Sequence, residues 1–256
     1  MPESELLEVL VETTGDYLSV TLNRPEASNA LSPIMVETLI QTFASAGHPA
    51  LCVIKGTGKN FCAGFDLSDL DGLSDGDLLL RFLRIETLLQ MVHHAPFPVV
   101  ACAQGHVIGA GADLFAACWH RLAAPDTRFK MPGWNFELAL GTRRLARLVG
   151  SDAARDMLID TKTVGALEAV TMGLASEIAD QEVWDRRISE LQIRCSGLPQ
   201  NSKAQMLALT IADTRDEDIA AIVQTAGRPG LKDRIKAYQA KVLADRNVRR
   251  QGAKHD

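Results

Sequence analysis

In the stretch VIGAGADLFAAC, residues 107–118, an apolar run breaks into Gly109-Ala110-Gly111, and an acid, Asp113, then heads a second apolar run. A comparable turn, Cys62-Ala63-Gly64-Phe65, follows the glycine-rich GTGKN at 56–60 and carries little side-chain bulk. Small residues let a ligand approach the main chain closely. They also free the Phe65 N–H to point outward. Where a helix begins, its first N–H groups lack internal partners and sit at the positive end of its dipole. The N–H at Ala110 is placed in that way, and a polarised oxygen in front of it would be stabilised. Two main-chain donors on one oxygen make an oxyanion hole, in which each donor is worth about 2.7–4 kcal/mol of transition-state stabilisation. The chemistry served would be an enolate or a tetrahedral oxyanion. Taken alone, each turn also fits a plain tight strand–helix connection.

Nucleotide-binding readings of these glycines fail on spacing. A dinucleotide fingerprint beginning at Gly109 needs glycine at 114, which is Leu. A phosphate loop ending at Gly58-Lys59 needs glycine at 53, which is Val, and Ser or Thr at 60, which is Asn.

The elements that must carry the two turns follow from periodicity. Residues 5–12 and 17–22, with Gly15-Asp16 between them, predict a hairpin. Met35, Leu39, Ile40 and Phe43 predict a helix over 33–46, with Ser32 as its N-cap and Pro33 in its first turn. ALCVIK at 50–55 and VVACA at 99–103 predict buried strands, with an amphipathic helix over 77–92 between them. His93-His94 is expected to close that helix favourably. A helix from the second turn to about 119, a short strand at 121–124 and a helical final third with no strand to add complete the pattern. Strands alternating with helices imply an α/β fold with crossover connections. The tail at 248–256 is expected to be a frayed, solvated end.

Composition excludes several classes. The 256 residues suit one large domain or a domain with an appendage, 46% are hydrophobic and 23% charged, and the net charge of −5 opposes a general nucleic-acid binder. The acidic N-terminus does not resemble a signal peptide. No segment approaches the roughly 18 unbroken apolar residues of a membrane span. The five cysteines form no CxxC and predict buried free thiols in a reducing cytoplasm, with no metal site.

TLNRPEASNALS (21–32), NFCAGFDL (60–67), the long block at 95–132 and the segment at 145–178 occur in an order that resembles the crotonase superfamily, the enoyl-CoA hydratase/isomerase family. The resemblance implies a spiral of ββα units over residues 1–195 and a C-terminal helical oligomerisation region at 196–256, assembled as a homotrimer or homohexamer. It implies an acyl-CoA thioester whose oxygen sits between the N–H groups of Phe65 and Ala110. Arg24, Ala27, Ala63, Gly64, Asp66, Leu67 and Gly109 would line the substrate site, with Tyr238 and Lys241 closing it from a C-terminal helix. No cofactor is implied beyond the coenzyme A of the substrate itself.

The chain departs from the family pattern at its acids. The family's hydratases hold water between two glutamates. Asp113 stands at the first of those positions, as general acid or base, or as a cap of its own helix, and it is a methylene shorter than Glu. The helix N-terminus is expected to favour its ionised form. At the second position, after Pro132, stands Gly133, and the segment is about three residues short. Glu137 is the only nearby acid; it would return a carboxylate to the same face if this piece were helical, and it otherwise reads as a solvated or salt-bridged glutamate. Trp134 would wall the acyl pocket or serve as an ordinary core or interface aromatic. The default expectation is an enoyl-CoA hydratase. The alternatives are an isomerase, decarboxylase or hydrolase using Asp113 alone, and a non-catalytic member that binds acyl-CoA or a partner.

Overall fold

Gly15, at φ +62°, turns the chain between β1 (Val9–Thr14) and β2 (Tyr17–Leu22), which pair antiparallel from Val9–Leu22 to Thr14–Tyr17. The structure, a computed structural model, describes residues 7–252, with side-chain surroundings to 245. Residues 5–6 of the expected first strand and 253–256 of the expected frayed tail lie outside the described residues.

Pro33 opens α1 (Pro33–Ser45), and Ser32 caps it by accepting the Met35 N–H at 3.0 Å. The predicted stripe of Met35, Leu39, Ile40 and Phe43 is its buried face. β3 (Leu51–Gly56) then pairs parallel with β2. Ser74 and Asp77 form a capping box at the start of α2 (Asp75–His93). β4 (Val99–Ala103) lies parallel beside β3, from Cys52–Val99 to Lys55–Cys102. Next come β5 (His106–Ile108), α3 (Ala110–Ala117), β6 (His120–Ala123) and β7 (Arg128–Lys130).

The final third corrects the expectation that it adds no strand. After α4 (Thr142–Val149) and α5 (Ser151–Ile159), β8 (Val164–Gly165) pairs antiparallel with β7. After α6 (Ala166–Thr171), β9 (Glu177–Ile178) extends the main sheet beside β6. Two-residue strands are too short to show a period, so the sequence pattern passes over them. The remaining elements are α7 (Trp184–Ser196), α8 (Gln200–Thr210), α9 (Arg215–Ala226) and α10 (Leu231–Gly252).

The result is an α/β fold. Its main sheet runs β1-β2-β3-β4-β6-β9 and its small sheet β5-β7-β8. One apolar core gathers Phe61, Phe115 and Phe129 from the strand–turn region with Ile222, Leu231 and Ile235 from α9 and α10. All five cysteines are buried and free. Among the described residues, no helix is long and apolar enough to cross a membrane.

Candidate active site

Adjacent parallel strands leave the sheet at the same edge, so the chains following β3 and β4 emerge side by side. The register continues past the strands. Phe61 N–H donates to Gln104 O at 2.9 Å, and Ile108 N–H to Cys62 O at 3.0 Å. The Gln104 amide donates to Gly56 O at 2.8 Å and Gly58 O at 3.0 Å, bracing the glycine-rich stretch. Asn29, buried at positive φ, donates to Thr57 O and Asn60 O. Sequence reasoning passed over both amides, because a lone Asn or Gln has no motif.

The two turns touch through their glycines. A Cβ on Gly64, which has φ +90°, would lie 2.5 Å from Ile108 O and 3.2 Å from Ala110 N. One on Gly111 would lie 2.5 Å from Cys62 O. At Phe65 the bridge to Leu31 uses Gly64 O and Asp66 N, so the Phe65 N–H faces away from Leu31. At Ala110, the first residue of α3, the N–H precedes the helical bonds that begin with Ala112 and Asp113 donating to Gly109 O. Neither N–H has an acceptor among the described residues. Phe65 is held by stacking on Phe82, centroids 4.4 Å apart, with the Arg81 guanidinium 4.4 Å over its ring. Cys62 between the turns is inert: burial pushes its thiol up to about 12.

Both turns open on a cavity of about 480 Å³ whose wall includes Ala63, Phe65, Leu67, Gly109, Ala110, Asp113, Gly133 and Trp134. Leu138, Leu140, Leu158 and Leu243 make much of the rest apolar, and Tyr238 contributes from α10. Trp134 is 42% exposed and donates its indole N–H to Thr142 Oγ1 at 3.1 Å.

Asp113 is the one carboxylic acid among the described residues of that wall. It does not cap α3: the N-cap is Gly109, which gives no side-chain bond, and Asp113 Oδ1 is buried without a hydrogen-bond partner. The expected direction of its titration is also corrected. Burial drives the Asp113 carboxyl well above the ordinary carboxylate value, against the opposing pull of Arg144 and with a further push from Glu86. Desolvation of a fully enclosed carboxylate outweighs a short helix dipole here. The expected help from His93 at the end of α2 fails for the same reason, since burial takes its imidazole down to about 4 and leaves it uncharged.

Glu137 is a second correction. The segment Gly133–Phe136 is a single 3-10 turn, and Glu137 follows it at φ +59°. That left-handed residue turns the side chain outward. The carboxylate is 55% exposed, 3.5 Å from Arg228 and 3.8 Å from Arg234, and it is not on the cavity wall. The one-turn helical spacing that would have returned it to the site does not form. Arg24 and Asp66 bond to each other at 2.8 Å, and Arg24 also pairs with Glu8 at 3.3 Å. With Ala27 they flank the first turn outside the cavity wall.

The assembly can therefore offer two acceptor-free N–H donors and one buried acid of raised proton affinity to a ligand in an apolar chamber. The family model described as enoyl-CoA hydratase/isomerase matches residues 12–227. A Mycobacterium tuberculosis protein named "Probable enoyl-CoA hydratase echA6" is 37% identical over 183 residues, 68% of this chain and 73% of its own. A crystal structure of an enoyl-CoA hydratase/isomerase-type protein from Bordetella parapertussis matches with TM-score 0.90 at 40% identity, covering 92% of this chain and 99% of that one. An enoyl-CoA hydratase structure from Mycobacterium smegmatis matches with TM-score 0.74 at 27% identity, covering 91% and 96%.

Proposed function

The chain belongs to the enoyl-CoA hydratase/isomerase family and is an enzyme of that type, and from that premise we propose how its site acts on an acyl-CoA thioester. The thioester oxygen is held between the N–H groups of Phe65 and Ala110, and Asp113 handles the proton at the α carbon. The observation that carries this reading is the meeting of two acceptor-free amides and one unpartnered acid on one apolar wall. As negative charge moves onto the thioester oxygen, the two donors stabilise it. In a double-bond shift of a 2-enoyl thioester, the Asp113 carboxylate takes the γ proton, the electron pair moves through a dienolate onto the thioester oxygen, and the carboxyl so formed returns that proton to the α carbon; the reverse step starts from the 3-enoyl thioester.

Among the described residues the cavity offers no second acid to hold a water, because Gly133 stands there and Glu137 faces the arginines. That favours reactions which one carboxyl group completes, double-bond isomerisation foremost, beside the hydration that the family's name includes. Arg24, Ala27, Gly64, Asp66, Leu67 and Gly109 are assigned to shaping the entrance and the turn that receives coenzyme A. The reaction so written uses no metal or redox cofactor. The region 196–256 is assigned to assembly into a trimer or hexamer, and a cytoplasmic location is in keeping with five free thiols.

The test offers the purified protein short 2-enoyl- and 3-enoyl-CoA esters, follows the conjugated-enone absorbance and resolves the products. Turnover lost in Asp113→Asn and kept in Glu137→Gln is expected. Equal turnover by Asp113→Asn overturns the role of Asp113, and binding without any turnover favours the non-catalytic reading.

A further inference from the structure

Behind the cavity wall lies a buried ionic layer. Glu86 of α2 is completely buried and accepts from both terminal nitrogens of Arg144 on α4, at 2.9 Å from Nη1 to Oε1 and by a closer contact from Nη2 to Oε2. Arg144 also reaches Asp218 of α9 at 3.4 Å. Asp218 in turn accepts from Arg143 at 2.8 Å and from Thr214 at 3.0 Å. Gln90 donates to Glu86 Oε1 at 3.1 Å.

An ion pair at such depth is weak evidence of a stabilising role, because desolvation offsets most of the attraction. Its placement gives another reason for it. Gly141, at the N-cap of α4, lies directly against Asp113, so that a Cβ there would be 1.9 Å from Oδ1. Arg144 is in the first turn of that same helix. The two arginines and two carboxylates of the layer cancel before Asp113 is counted. Asp113 Oδ1 and Arg144 Nε are both buried without hydrogen-bond partners, so the layer does not bind Asp113 as a further member.

We propose that Arg144, held by Glu86 and Asp218, is a positioning residue for the reaction: it pins the Gly141 turn against the Asp113 carboxyl, and its own charge is taken up by Glu86 rather than by Asp113. This rests on the reading of Asp113 as the reacting acid.

The groups around Asp113 support this assignment from each side. α4 contributes Arg144, with Arg143 turned to Asp218. α2 contributes Glu86, and further along His93, whose ring is bonded to Ala117 O at 3.2 Å and is uncharged. The strand before α3 contributes His106, which is exposed, while Lys130 and Tyr238 line the cavity. Glu86 is thus the group whose removal would release positive charge towards Asp113.

The test uses the full-length protein labelled with carbon-13 at the aspartate carboxyl carbons, the Asp113 resonance being assigned by its loss in Asp113→Asn. Its titration midpoint is compared between wild type and Glu86→Gln. The expected result is a midpoint lower by about one pH unit or more in the variant, as an uncompensated opposite charge requires. The acid limb of the thioester pH–rate profile should move the same way. Asp218→Asn should lower the midpoint by less, and it carries the test if Glu86→Gln does not fold. An unmoved midpoint in a folded variant overturns the proposal. The resonance reads the charge coupling without turnover, so a wild type that transforms no thioester would defeat the functional reading separately.

Discussion

Gly141 and Asp113 occupy complementary space: the glycine has φ +64°, and a Cβ on it would stand 1.9 Å from Asp113 Oδ1 and 2.6 Å from Cγ. Gly141→Ala therefore combines backbone strain of about 1 kcal/mol with expulsion of the carboxyl from its seat. Turnover should fall by at least about tenfold, since misplacement of an acid by an ångström has that scale of effect or more. Steady-state kinetics with thermal unfolding checks this. Full activity in a folded variant would show that Asp113 needs no such seat.

Asp113 should leave a signature in stability as well as in rate. Its carboxyl titrates well above 3.8 in the folded state because burial penalises the charged form. Between the unfolded value and the folded one, the native state binds the extra proton, so stability is lost as pH rises through that window. Asp113→Asn should flatten this loss in chemical denaturation across pH, while lowering turnover by about 10²–10⁴.

Gly64 makes a separate test of the two turns. With φ +90° and Ile108 O only 2.5 Å from a Cβ, Gly64→Ala must push the chain at Phe65 away from the chain at Ala110. Loss of one well-aimed donor costs about 10²–10³ in kcat. That loss is expected with acyl-CoA binding kept within a few-fold, measured by calorimetry on a slow thioester analogue.

His93 gives the opposite pH slope. Its folded value is about 4 against 6.5 when free, because burial disfavours the imidazolium. As pH falls from 6.5 towards 4 the unfolded chain takes a proton that the native chain refuses, so stability declines. His93→Gln should remove that part of the acid-side decline. An identical decline in the variant would assign it to other groups.

The two turns and Asp113 were legible because their signals are local: glycines where the main chain must come close, and an acid at a helix start. The hairpin, α1 with its Ser32 cap, and β3 and β4 followed from period and punctuation. What was not legible depends on distant partners. Glu86 reads as one polar position on an amphipathic helix, and only folding brings it to Arg144, 58 positions away. The direction in which Asp113 titrates ran against expectation because helix position is visible in sequence and enclosure is not. Between the two readings of Glu137 the catalytic one fails, because a four-residue spacing returns to the same face in an α-helix, and a 3-10 turn ending in a left-handed residue breaks that relation.

The acceptor-free donors on the cavity wall belong to the main chain, and their separation is inherited from the spacing of β3 and β4. Neither has a codon of its own. Apart from proline at 65 or 110, no substitution can delete them; mutations can only tilt the peptides that carry them. The half of the site proposed to polarise the thioester is thus insulated from mutation, while the half proposed to choose the reaction rests on a few replaceable side chains. A lineage built on this frame can change its chemistry one carboxyl at a time without rebuilding the amides proposed to hold the oxygen.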